Sequence, residues 1–319
     1  MKVGVIGCAN IAERYMLPTI KNIEDCELTA VASRTMEKAN IFANKFSCAP
    51  IQGYESLVTH DDIDIIYIPL PTGLHKQWIL KALDAGKHVF VEKAFAEDYK
   101  SAIEIVDKAK QNNLLVMENY MFAYHSQHTF VKQLIDKGEI GKISVFRSSF
   151  GFPPLANDNF RYYNRLGGGA LLDVGGYTVK ATQMFLGSKL KLQGAYLKYS
   201  DDGEVDLLGS AIFVNPKKQI AEVAFGFDNF YQCRYEIWGT TGKITVERAF
   251  TPPPDFVPRI ILEQQNKTQE FLLSPDNHFR NIFCEFVHSL RERHFQKHWD
   301  AILLQAQLID QIRTHKLNG

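Results

Sequence analysis

Over the first 120 residues, short apolar runs alternate with segments of helical spacing. Residues 2–6, 28–33, 63–68, 88–91 and 114–117 read as strands that are nearly continuous in apolar side chains. Between them, 11–21, 35–46, 78–85 and 101–109 repeat apolar positions at the helical period. Strands apolar on both faces need cover on both sides, and alternating helices supply it in a doubly wound parallel sheet. Past residue 120 the pattern changes. A helix over 126–137 stops at glycines 138 and 141, and strands then dominate, at 144–150, 191–199, 204–215, 219–227, 232–238 and 243–247. Ala221, Val223, Phe225 and Phe227 show the period of two expected where one sheet face is buried. A helix over 170–186 ends at Gly187, and helices over 277–292 and 298–316 close the chain. The expected architecture is α/β followed by α+β: a parallel domain over 1–120, then a domain over 121–319 built on a large, mostly antiparallel open sheet. The last helices are free in this reading to pack back on the first domain.

A length of 319 residues agrees with two domains. Lys plus Arg and Asp plus Glu both number 36, so the formal charge is zero and nothing points to nucleic acid. Any anionic ligand then needs a local site. Met1-Lys2 leads directly into a strand, leaving no room for a signal peptide, and no apolar run suits a membrane span. The expectation is a cytoplasmic protein. The five cysteines, Cys8, Cys26, Cys48, Cys233 and Cys284, are scattered and read as reduced thiols. No spacing of His, Cys and carboxylates suggests a metal.

Chemistry first shows at Gly7-Cys8-Ala9-Asn10-Ile11-Ala12, where the first strand turns into a helix. A glycine there permits a tight turn, and the helix start aims free N–H groups at a pyrophosphate. The pattern is G-x-A-x-x-A, with Ala9 where a second glycine lets the backbone approach the phosphates. The second strand ends in Ser33-Arg34 without the carboxylate that accepts from an NAD ribose. A hydroxyl and a guanidinium suit a 2′-phosphate, which favours NADP(H) over NAD(H).

Three further motifs are more specific. Pro69-Leu70-Pro71-Thr72 precedes His75, Gly86-Lys87-His88 leads to Glu92-Lys93, and Gly167-Gly168-Gly169 leads to Asp173 and Tyr177. In this order they resemble the glucose–fructose oxidoreductase/inositol dehydrogenase (Gfo/Idh/MocA) family over nearly the whole chain. The resemblance implies a Rossmann domain, a second open-sheet domain and pairing through that sheet into a homodimer or homotetramer. It also implies that Lys93 lies beside the nicotinamide and Tyr177 serves as acid/base. Asp173, four residues before Tyr177 on one helix face, would orient a substrate hydroxyl or Lys93. Cofactor contacts are then expected from Gly7, Cys8, Ala9, Asn10, Ile11, Ser33, Arg34, Pro69, Leu70, Pro71, Thr72, His75, Glu92 and Lys93.

One departure is Ala94, where the family's Glu-Lys-Pro carries a proline that often follows a cis bond. Alanine lacks the tertiary amide that makes cis cheap, so the sequence leaves that isomer open. The family branches with Tyr at this site point to sugar 3-ketoreductases, and 158–162 and 248–253 look like those acting on nucleotide sugars. Arg161 is read as meeting a diphosphate or pairing with Asp158. Tyr120, His125, Asn277 and His278 are further candidates for the sugar pocket. The leading expectation is an NADPH-dependent keto-sugar reductase whose substrate is a sugar or nucleotide sugar. An NADP-dependent aldose or trans-dihydrodiol dehydrogenase is the alternative within enzymes, and a non-catalytic NADP-binding regulator the alternative outside them.

Overall fold

The computed structural model describes residues 1–315; position 316, where the sequence reading ended the last helix, lies outside the described residues. The chain divides into two compact units. The first comprises Met1–Asn119 with Phe279–Ala306, the second Tyr120–His278 with the described residues from Gln307.

In the first unit, β1 (Lys2–Ile6), β2 (Glu27–Ser33), β3 (Ala49–Gln52), β4 (Ile65–Ile68), β5 (His88–Glu92) and β6 (Val116–Asn119) form one parallel sheet in the order β3-β2-β1-β4-β5-β6. Helices α1 (Leu17–Lys21), α2 (Met36–Phe46), α3 (Tyr54–Val58), α4 (His75–Asp84) and α5 (Tyr99–Asn112) alternate with the strands. Between Ala12 and Met16 the chain makes a wider π-turn before α1. Every residue of β4 is fully buried, as a strand covered on both faces requires. The order reverses between β1 and β4, so the turns after these two strands border the crevice in which such sheets bind ligands. The sequence reading missed β3 and α3 and started β4 two residues early.

In the second unit, α6 (Ser126–Asp136) precedes β7 (Ile143–Gly151). After β7 come α7 (Gly176–Leu186), β8 (Lys191–Tyr199), β9 (Asp206–Val214), β10 (Ile220–Gly226), β11 (Gln232–Gly239), β12 (Gly242–Val246), β13 (Arg259–Gln264) and β14 (Lys267–Leu272). The eight strands lie in the order β14-β13-β12-β11-β7-β10-β9-β8, antiparallel throughout except for the β7–β10 pair. Ala221, Val223, Phe225 and Phe227 all face the core, and α7 packs over β7 and β10. The hairpin β13–β14 was not expected from the sequence. Helices α8 (His278–Arg291) and α9 (Gln296–Thr314) complete the described chain. The Phe283 and Phe286 rings of α8 meet the Phe90 ring of β5 edge to face inside the first unit.

Candidate active site

The glycine turn follows β1 directly. Gly7 holds φ of +116° and donates its N–H to the Ala32 carbonyl at 2.9 Å, and a Cβ there would meet Leu70 at 2.7 Å. Glycine is therefore required twice over, by backbone conformation and by space. Ala9 accepts from the Glu13 N–H at 3.0 Å, so the helix begins within the motif and its first N–H groups stay available to a phosphate. Ser33 is buried at the end of β2, and the Cys8 thiol donates to the Lys38 carbonyl at 3.8 Å. Burial above all pushes that thiol upward, so it stays protonated. Arg34 is exposed beside the Tyr54 phenol, and Thr35 caps α2 by accepting from the Lys38 N–H. Lys38 and Tyr54 were not singled out in the sequence. The signal for Lys38 was its place in the first turn after Ser33-Arg34; Tyr54 carried none, because it comes from α3, which the sequence did not reveal.

Just past Lys93, main-chain atoms are held by two side chains, His75 and Glu118. The Lys93–Ala94 peptide bond is cis. The buried His75 ring meets the Ala94 carbonyl at 2.8 Å and the Leu70 carbonyl at 2.7 Å, and Glu118 accepts from the Phe95 N–H at 2.7 Å. Desolvation lowers the His75 pKa to about 4, so the ring is neutral and donates to one carbonyl at a time. His75 thereby braces the turns after β4 and β5. Pro69, Leu70, Pro71 and Thr72 form that first turn, with Thr72 buried.

In the second unit, Asp173 and Tyr177 stand at successive turns of one helical segment, the π-turn Leu171–Gly175 running into α7. The Asp173 carboxylate accepts from the Arg161 Nε at 2.6 Å. Arg161 thus pairs with Asp173 and not with Asp158. Burial opposes the Arg161 charge, but Asp173 outweighs it and the guanidinium is held above its ordinary range. The glycines explain the approach: a Cβ on Gly168 would collide with the Arg161 carbonyl, which also accepts from the Gly169 N–H at 3.0 Å. Tyr177 is nearly buried. Its ring packs against Tyr120, Phe122, Phe150 and Phe250, and its hydroxyl donates to the Met121 sulfur at 3.8 Å.

The histidine candidates are placed differently. His278 is wholly buried against His125, their ring centres 5.6 Å apart. His125 is also buried and accepts from the Gln127 N–H, and Asp276, beside Asn277, accepts from the Ser126 N–H. Among the described residues no group of three or more His, Cys, Asp and Glu is arranged to hold a metal ion, and no helix is long and apolar enough to cross a membrane.

A glycine turn at a sheet switch point, a lysine just past β5 and a Tyr/Asp helix in a second open-sheet unit define a dinucleotide-dependent oxidoreductase. The model of the Gfo/Idh/MocA oxidoreductase family, NAD-binding Rossmann fold, matches residues 1–120, and the C-terminal domain model of the same family matches 128–245. The chain belongs to that family. It is 38% identical over 315 residues to a dTDP-3,4-didehydro-2,6-dideoxy-alpha-D-glucose 3-reductase of Actinomadura kijaniata, covering 98% of this chain and 95% of the relative. An enzyme of the same name from Saccharopolyspora spinosa is 40% identical over 291 residues, 91% of this chain and 88% of the relative. The crystal structure of a 3-ketoreductase from A. kijaniata, in complex with NADP and TDP-benzene, matches with a TM-score of 0.96 at 39% identity, over 98% of this chain and 97% of that one.

Proposed function

We propose that the protein reduces the 3-keto group of a dTDP-linked keto sugar with NADPH. The observation that carries this reading is the near-complete structural match to a 3-ketoreductase solved with NADP and a TDP ligand. The residues present suit the cofactor. Gly7 to Ile11 form the pyrophosphate turn, and Ser33, Arg34, Lys38 and Tyr54 bring a hydroxyl, two cations and a phenol to the end of β2 for a 2′-phosphate. When bound, NADPH supplies the hydride.

The chain's own residues supply the rest. The Lys93 ammonium sits beside the reacting carbonyl and favours negative charge on its oxygen, and the Tyr177 hydroxyl delivers the proton to that oxygen. Arg161, braced by Asp173, takes the substrate diphosphate. Asp173 also holds Arg161, alongside the orienting role toward a substrate hydroxyl or Lys93 that the sequence reading gives it. The aromatic wall of Tyr120, Phe122, Phe150 and Phe250 keeps the Tyr177 ring fixed.

Pairing into dimers or tetramers through the open sheet belongs to the same reading. The outward face of β8–β11 exposes Tyr196, Leu208, Ile212, Ile220 and Trp238 around an ion-pair row of Arg147, Glu222, Glu236 and Lys243. Sedimentation at micromolar concentration is expected to give a mass of at least two chains, reduced by Ile212→Glu with Trp238→Asp.

NADPH consumption with a dTDP-linked 3,4-diketo sugar generated in situ tests the activity. Lys93→Ala is expected to lower kcat by about a hundredfold and Tyr177→Phe by about tenfold or more. Turnover confined to free aldoses or diols would reject the nucleotide-sugar substrate. Tight NADPH binding without turnover of any sugar would instead indicate a regulator.

A further inference from the structure

The segment that carries Asp173 and Tyr177 cannot cap its own start. It follows Gly167-Gly168-Gly169-Ala170, none of which has a polar side chain, and no side-chain cap bond is made at Ala170. The cap comes instead from Asp206, the first residue of β9, whose Oδ2 accepts from the Leu171 N–H at 2.6 Å across 35 residues of sequence. Asp206 is itself buried, with 9% exposure. Gly169 is the meeting point. Its φ is +105°, and a Cβ on it would collide with Asp206 Oδ1, so the carboxyl fits only against a glycine. Gly169 also donates its N–H to the Arg161 carbonyl at 3.0 Å and accepts from the Asp173 N–H at 3.2 Å. Arg161 Nε meets the Asp173 carboxylate at 2.6 Å and closes the ring of contacts. Glycines leave a backbone free to take many conformations, so this ring keeps one register only if something outside the run holds it.

We propose that Asp206 is a positioning residue of the site: by gripping the helix start at Leu171, it fixes the register in which Asp173 and Tyr177 are presented and Arg161 is held. The inference rests on the reading of Arg161 as the diphosphate contact and of Tyr177 as the proton donor. A local hydroxyl would cap the segment from within and move with it, whereas a carboxyl rooted in β9 ties it to the sheet. Burial holds the Asp206 carboxyl above the usual carboxylate range, while the Leu171 N–H opposes that rise. Neutral or charged, the carboxyl keeps an accepting oxygen, so the grip persists in either form. Register matters because an error of about 1 Å in a reacting group can cost about a hundredfold in rate.

Asp206→Ala removes the acceptor, Asp206→Asn keeps one accepting oxygen, and Asp206→Glu keeps the acid but displaces it by one carbon. Ser289→Ala removes a buried hydroxyl bonded to His298 and Glu285 in the first unit, and is the control for lost stability as such. The full chain is read by kcat and KM for the dTDP-linked keto sugar, by the Kd of dTDP from calorimetry and by the NADPH Kd. A further readout is the rate at which phenylglyoxal modifies Arg161, followed by peptide mass spectrometry. In Asp206→Ala, kcat is expected to fall at least about tenfold and dTDP to bind about fivefold more weakly, with the NADPH Kd within about twofold. Arg161 modification rises about threefold, because a guanidinium released from its carboxylate loses its proton more readily. Asp206→Asn recovers most of each change. Asp206→Glu shows the same changes as the alanine variant, and carries the test if that variant does not fold. Ser289→Ala lowers Tm but moves none of these readouts. Unchanged kcat, dTDP affinity and Arg161 reactivity in Asp206→Ala and Asp206→Glu, with only a lower Tm, overturn the proposal and leave Asp206 an ordinary cap. Phenylglyoxal needs no turnover, so it separates the two claims. A wild type that reduces no keto sugar, while Arg161 still responds to Asp206→Ala and recovers in Asp206→Asn, rejects the enzyme reading and upholds this one.

Discussion

Arg161 and Asp173 illustrate how much one contact decides at the scale of the residue. Either side chain alone is a loop arginine or a helix-end aspartate; together they are a charge-assisted pair whose Asp173 side chain is only 12% exposed. Replacing Arg161 with Met takes a cation from a carboxylate that is largely out of water. The expected cost is about 2 kcal/mol, read from urea unfolding, together with a raised KM for the nucleotide sugar. Arg34 offers a different case, since it is exposed and contributes little to stability. Arg34→Ala is expected to weaken NADPH about tenfold and leave NADH affinity nearly unchanged, which paired fluorescence titrations would check. Equal losses for both cofactors would remove Arg34 from the 2′-phosphate site. These chemical types were legible in the sequence. Their partners were not, because Arg161 finds Asp173 through the glycine run that lets two backbones touch.

Among elements, the long apolar strands and helices were read to within a few residues, since burial on two faces leaves a strong pattern. The elements missed lack that pattern. Strand β3 is Ala-Pro-Ile-Gln, short, mostly exposed and at a sheet edge, and β13–β14 mixes charged and apolar positions at the other sheet's edge. Such strands are set by backbone pairing with a neighbour, which local sequence does not record. The turn between β1 and the following helix is the element on which cofactor binding depends. Gly7→Ala introduces a side chain at φ +116° and against Leu70. The strain is expected to be about 1–3 kcal/mol and to appear mainly as weaker NADPH binding, with a smaller fall in Tm.

Taken as a whole, the molecule is balanced in charge but not in pH response. His75 and His88 are lowered to about 4, and His128 and His278 to about 3, in each case chiefly by desolvation. His128 shows the cause: its ring is held between the Tyr235 hydroxyl at 2.9 Å and the Ala249 carbonyl at 3.1 Å, with no water-exposed edge. In the unfolded chain these rings take up protons as pH falls below about 6.5, whereas the folded state resists protonation until about 4 or lower. Their contribution to stability is therefore complete above pH 6.5 and is lost progressively as pH falls toward the folded values. Urea midpoints measured from pH 7.5 down to about 4.5 are expected to decline steadily below about 6.5. A flat profile across that window would show that these rings are open to water.

What the sequence determined by itself was the order of elements, the two kinds of sheet, the glycine turn and the motif residues Lys93, Asp173 and Tyr177. Those features are written locally, in periodicity, in backbone-permissive residues and in short spacings. Tertiary structure alone decided which groups share a bond. It set His75 between two main-chain carbonyls and joined Asp173 to Arg161. It also buried His278 and brought Tyr67 and Asn119 from separate strands onto one oxygen of Glu92. The physical reason is common to all four. Burial raises the cost of an unsatisfied polar group, and the partner that lowers this cost is chosen by proximity in the fold, across distances in sequence that no local pattern spans.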